Sequence, residues 1–199
     1  MHHCSNDLEN KQRITLYAIL LSIFTFFYIL LPIYAFIEAT FNFTIPIWVE
    51  TPSIIGLYQL FIKIFDKYLW KYSFVEVIGL PKIPNLNGEW KVKIYSSFDN
   101  NVKDADIEIV HNYSHFSMIL KTAESKSATT SAIFNLMNPI YKTISYSYLS
   151  KPITVTNDTM NIHEGTAILE ISEDIKKLEG YYYAGRGRLT YGKIIMEKI

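Results

Sequence analysis

The sequence predicts a membrane-anchored all-β protein: two N-terminal transmembrane helices followed by an antiparallel β-domain of about eight short strands. Three observations carry this. Residues 14–37 hold no charged side chain. A second apolar stretch runs from Phe43 to Ile62, interrupted by Glu50. From Glu89 onward the hydrophobic period changes from helical to two.

The first segment has 24 residues, Ile14 to Ile37. At a helical rise of roughly 1.5 Å per residue it reaches about 36 Å, enough to cross a hydrocarbon core of about 30 Å. It has no polar face, so it does not suit a soluble helix. It is longer than a signal-peptide core and ends in bulky Ile33, Tyr34, Phe36 and Ile37. The tail ahead of it, residues 1–13, opens with Met1-His2-His3-Cys4. We read this tail as frayed, because a zinc site wants four ligands at loop spacing. Cys4 is the sole cysteine, which excludes an intramolecular disulfide.

The second span is expected from about Pro52 to Trp70. Pro52 suits a helix start, Lys63 can snorkel to the headgroups, and Tyr68, Trp70 and Tyr72 read as interfacial aromatics. A surface-lying helix is the alternative. With both segments crossing, residues 14–72 form a hairpin. Its connector carries Glu38 and Glu50 and no Lys or Arg, whereas the flanks carry Lys11, Arg13, Lys63, Lys67 and Lys71. The positive-inside rule then places both termini and the polar domain in the cytosol.

Residues 73–85 read as a linker, since Pro81 and Pro84 break any helix leaving the membrane. Residues 86–199 form the β-domain. Trp90, Val92 and Ile94 share a face, as do Ile107 and Ile109, then Phe116, Met118 and Leu120. Ile144, Tyr146 and Tyr148 share another, followed by Gly165, Ala167, Leu169 and Ile171, then Leu178, Gly180 and Tyr182, then Gly192, Ile194 and Met196. No amphipathic helix separates the strands, so the sheet is antiparallel. This strand count over about 115 residues suits a small up-and-down barrel or a sandwich. Gly165, Gly180 and Gly192 are expected to mark bends or bulges.

Charge narrows the function. Lys plus Arg and Asp plus Glu each total 19, which leaves no broad basic surface for DNA or RNA. The chain has no G-x-S-x-G, H-E-x-x-H or P-loop motif, so no enzyme and no catalytic residue is expected. His111, His115 and His163 lack a matching acid or cysteine set and read as satisfied or exposed histidines, with no metal site.

The order of two spans, Pro-rich linker, Leu86-Asn87-Gly88-Glu89-Trp90 and β-domain resembles a bacterial antiphage family. Further matches are Lys121-Thr122 with Ser125-Lys126-Ser127, Tyr146-Ser147-Tyr148, His163-Glu164-Gly165-Thr166-Ala167, and Leu178 through Arg186 with a later Gly192. These are the CBASS effectors described as SMODS-associating, two-transmembrane, β-strand-rich proteins. The resemblance implies a membrane hairpin fused to an eight-stranded antiparallel β-barrel. It also implies a function: a partner nucleotidyltransferase makes a cyclic dinucleotide on infection, the barrel binds it, the effector self-associates in the inner membrane, and the lipid bilayer is breached. No cofactor is expected beyond this activating ligand.

Such a ligand presents phosphates, which want Arg forks or hydroxyl and backbone donors, and flat bases, which want aromatic faces. Arg186 and Arg188 are the only arginines of the β-domain, and on an unbroken strand they share a face with Tyr182. The expected ligand-binding set is Arg186, Arg188, Tyr146, Tyr148, Tyr182, Thr122, Ser125, Ser127 and Thr166, with Lys103 taken as lying away from the site. Trp90 is expected to plug the barrel base. The competing function is a membrane-tethered, lipocalin-like barrel carrying a lipid or other apolar molecule. A deep, dry cavity lined by Phe, Ile and Leu would favour it.

Overall fold

The computed structural model describes residues 2–3, 8–42, 44–98, 102–136, 141–153, 162–185 and 190–199. The chain divides into two compact units, a helical one spanning Asp7–Trp70 and a second made of Met1–Asn6 with Lys71–Ile199.

In the helical unit, α1 (Leu8–Thr25) passes through a π-helical turn at Phe26–Leu30 into α2 (Leu31–Phe41). Pro32 accounts for the turn. It donates no amide hydrogen and crowds the carbonyl one turn back, so the helix widens locally instead of breaking. The helix begins at Leu8, within the stretch expected as a tail. Asn42 closes α2 in the left-handed conformation (φ 48°). Glu38 then accepts a hydrogen bond from the Ile45 amide, and Pro46 leads into α3 (Ile47–Lys67). α3 packs back along α1, and Tyr34 and Ser53 hydroxyls meet at 2.9 Å. Among the described residues one helix is long and apolar enough to cross a membrane, Asn10–Phe41, with a mean hydropathy of 2.4. The second expected span is the 21-residue α3, in which Lys63, Asp66 and Lys67 crowd the last turns and Gln59 interrupts the apolar run.

The second unit is an eight-stranded antiparallel β-barrel. Its strands are β2 (Gly88–Ser96), β3 (Val102–His111), β4 (His115–Lys121), β5 (Ser125–Asn135), β6 (Thr143–Pro152), β7 (His163–Ile171), β8 (Lys177–Ala184) and β9 (Tyr191–Lys198). Each pairs with its sequence neighbour, and β9 pairs with β2 to close the ring. Closure removes most of the sheet's edge. The β4–β5 seam is short, spanning Ile119–Lys121 against Ala128–Lys126. Where these strands part, β1 (His2–His3) pairs with Phe116 and His115 of β4. This pairing replaces the frayed end expected for the tail.

The segment expected as a linker is packed. It carries α4 (Phe74–Val77) and then runs extended, with Leu80, Ile83 and Pro84 buried. Asn87 fastens its end to β3: its side-chain amide donates to the His111 carbonyl and its side-chain oxygen accepts from the His111 amide. The strand alternation expected from sequence is the alternation seen. Trp90, Val92, Ile107, Ile109, Met118, Ile144, Leu169, Leu178 and Met196 form one buried core at this end. Trp90 is fully buried and its indole N–H donates to the Leu86 carbonyl at 3.0 Å. It plugs the base, as expected.

Candidate functional site

The barrel is filled at the Trp90 end and open at the other. A recess of about 120 Å³ lies at the open end, lined by residues toward the ends of β2, β4, β6 and β8 and toward the starts of β3, β5, β7 and β9. Ile94, Met118, Leu120 and Ile194 form its apolar part. Its walls carry the rings of Tyr146, Tyr148 and Tyr182 and the hydroxyls of Thr122, Ser125, Ser127, Thr129 and Ser150.

Register explains how these groups come to face inward. On β6, Ile144, Tyr146, Tyr148 and Ser150 share the interior parity. Tyr148 pairs with Gly165 across the sheet, and Tyr182 pairs with Gly192. A Cβ on Gly165 would run into the Tyr148 ring and the Tyr183 carbonyl, and a Cβ on Gly192 into the Tyr182 ring and the Tyr95 carbonyl. Two of the glycines expected to mark bends are therefore seats for tyrosine rings. On β5 the ladder slips between Thr129 and Ser131, leaving Thr130 unpaired. Before this bulge Ser125 and Thr129 are the buried positions, and after it Ala132 is. One inserted residue turns the strand over, so the upper half presents hydroxyls to the recess and the lower half an apolar face to the core.

The groups are fixed in place. Thr122 Oγ1 accepts hydrogen bonds from the Glu124 and Ser125 amides at 3.3 and 3.0 Å and lies 3.1 Å from Ser125 Oγ. Thr129 donates to the Met118 carbonyl at 3.2 Å. Tyr146 is 5 % exposed, and burial, reinforced by Tyr148, pushes its phenol well above the usual tyrosine range, so it is a neutral hydrogen-bonding group. His163 stands edge-on to Tyr148 with ring centroids 6.5 Å apart. Aromatic faces beside neutral donors and acceptors suit a flat heterocycle carrying polar edges.

Residues 81–198 match the family described as Cap15, cyclic dinucleotide receptor domain. The chain belongs to this Cap15 family. It is also 30% identical over 145 residues to CD-NTase-associated protein 15 of Yersinia aleksiciae, covering 72% of this chain and 68% of that protein. To the protein of the same name from Escherichia albertii it is 30% identical over 147 residues, covering 68% of this chain and 73% of the relative. The CBASS effector family expected from sequence is thus the family found.

Within this Cap15-family barrel, six residues of the expected set line one recess: Tyr146, Tyr148, Tyr182, Thr122, Ser125 and Ser127. Thr166 does not. It lies on the outer face of β7, exposed, between inward-facing Gly165 and Ala167. Tyr181 and Tyr183 are likewise on the outside, at 61 % and 57 % exposure. Arg186 and Arg188 lie outside the described residues. The described residues flanking them reach the mouth, because the Ala184 amide donates to the Thr190 carbonyl at 2.7 Å and Thr190 lines the recess. Lys103, expected away from the site, is on its wall together with Glu124, and His163, expected as an unremarkable histidine, is there too. Parity could have found three lining positions on strands: Lys103 is in step with Ala105, Ile107 and Ile109, Ser150 with Tyr146 and Tyr148, and His163 with Gly165 and Ala167, whereas Glu124 lies in a turn that parity does not reach. The same count excludes Thr166.

Proposed function

We propose that this chain is an antiphage effector that senses a cyclic dinucleotide at the open mouth of its barrel, self-associates when the ligand is bound, and disrupts the inner membrane to stop the infected cell. The observation that carries the reading is the recess at one end of the barrel, where three tyrosine rings converge with serine and threonine hydroxyls. At about 120 Å³ the recess is smaller than the roughly 300–1,000 Å³ that engulfs a drug-sized ligand, so a cyclic dinucleotide enters by one part and spreads the rest over the rim. A lipid carrier needs a deep apolar cavity. The recess here holds only about 120 Å³, and beside Ile94, Leu120 and Ile194 it carries serine, threonine and tyrosine hydroxyls, Lys103 and Glu124.

In this reading the helical unit is a two-pass hairpin. A 21-residue helix is about 31 Å long, and α3 runs alongside the helix that qualifies as a span. The basic flanks put the barrel in the cytoplasm, where a nucleotidyltransferase encoded with the effector supplies the ligand. Ligand drives assembly only if it binds the assembled form more tightly than the free one. Arg186 and Arg188 belong to the proposed site as phosphate contacts from the β8–β9 connection.

The test is calorimetry on the full chain in detergent micelles with cyclic di-GMP, cyclic di-AMP, cyclic GMP–AMP and cyclic di-UMP, followed by dye release from vesicles of anionic lipid. At least one ligand should bind, raise the mass of the particle and release dye. Arg186→Ala should weaken binding. A chain that binds none of the panel, or binds without gaining mass, would overturn the reading.

A further inference from the structure

The ion pair at the rim of the recess gives the site a second layer. Lys103 faces inward from the first residues of β3, opposite Ile94 of β2. Its ammonium lies 3.4 Å from the Glu124 carboxylate, which projects from the three-residue turn between β4 and β5. That turn is built to hold Glu124 in position. Thr122 Oγ1 takes the Glu124 amide, and the Ile153 amide donates to the Glu124 carbonyl at 2.9 Å. Among the described residues that line the recess, Lys103 is the single Lys or Arg and Glu124 the single carboxylate.

A phosphodiester entering such a site meets one cation that is already occupied and one anion that repels it. On the described part of the wall, a phosphate finds a counter-charge only if this pair opens. The pair is half exposed, with side-chain exposures of 32 % and 48 %, and ion pairs of that kind are weak. A phosphodiester, like a carboxylate, carries one negative charge shared between two oxygens, so it can take the place of Glu124 on the ammonium.

We propose that Lys103 is the phosphate-contacting cation on the described wall of the recess and that Glu124 occupies it until ligand arrives, so that binding exchanges a carboxylate for a phosphate on the same ammonium. This rests on the nucleotide reading above. It makes Glu124 a residue that sets the affinity threshold of the sensor by keeping Lys103 paired until ligand arrives.

Full-length wild type, Lys103→Met, Glu124→Gln and the double variant, each in detergent micelles, are titrated with whichever of the four cyclic dinucleotides binds wild type most tightly. Thermal unfolding of each confirms that the barrel is intact, and Lys103→Gln serves if Lys103→Met is not. Lys103→Met should weaken binding about tenfold or more, and Glu124→Gln should tighten it about three- to tenfold. The gain from Glu124→Gln should vanish in the Lys103→Met background, since there is then no ammonium to release. Unchanged affinity in Lys103→Met, no gain in Glu124→Gln, or an equal gain in both backgrounds would each overturn the exchange while leaving the nucleotide reading intact. A wild type that binds none of the four overturns both.

Discussion

Acid should loosen the base of the barrel through His111. Its imidazole is fully buried, stacked on Phe134 with centroids 5.1 Å apart and edge-on to Phe116 at 5.4 Å. Burial, and secondarily the charge of Lys71, hold its pKa down to about 3 in the folded protein. In the unfolded chain it returns to about 6.5. As pH falls, the unfolded state takes up the proton first, so stability declines from about pH 6.5 until the folded imidazole itself titrates near 3. At 1.36 kcal/mol per pH unit this amounts to about 2.5 kcal/mol lost between pH 7 and pH 4.5. His111→Phe keeps a flat ring in the stack and removes the titration. Carboxylates such as Glu179, which hydrogen bonds from Lys177 and Lys193 hold down to about 2, weaken both proteins alike. The measurement is urea unfolding of both full-length chains in micelles, followed by tryptophan fluorescence at the two pH values. Wild type should lose about 2.5 kcal/mol more than the variant. Equal losses would refute a neutral His111 at the barrel base.

Other outcomes follow from the same geometry. Gly165→Ala should cost about 1–3 kcal/mol in the unfolding midpoint and weaken cyclic dinucleotide binding, because the Tyr148 ring must leave its seat; Thr166→Ala beside it should leave binding unchanged. Trp90→Phe should cost about 1–3 kcal/mol in thermal unfolding, since the buried Leu86 carbonyl loses its donor. A double-mutant cycle on Tyr34→Phe and Ser53→Ala, read by thermal unfolding in micelles, should return a coupling of about 0.6 kcal/mol for the hydroxyl contact between α2 and α3.

How far the sequence reached depends on contrast between neighbours. Where apolar residues alternate with charged ones, as in Glu89-Trp90-Lys91-Val92-Lys93-Ile94, the inward face is legible, and the barrel core was read almost residue by residue. The Ser/Thr run from Ser125 to Ser131 offers no such contrast, so the reversal of β5 at Thr130 left no trace in the pattern. At the mouth, inward residues are polar because they meet solvent. Lys103, Glu124, Ser150 and His163 therefore look like surface residues, and only counting from the core shows where those on strands point. In the helical half the helices were legible and their ends were not: the span expected from about Pro52 to Trp70 lies in a helix that starts at Ile47 and ends at Lys67.

The insertion at Thr130 separates two kinds of information along one strand. Changes upstream of it alter the lining of the recess, while changes downstream alter how the barrel fills itself. In the reading proposed above, a change of messenger can be met at Ser125 and Ser127 while Ala132 and the core beyond the insertion stay as they are. Removing that one residue would fuse the two, and every later adjustment of recognition would become a test of stability.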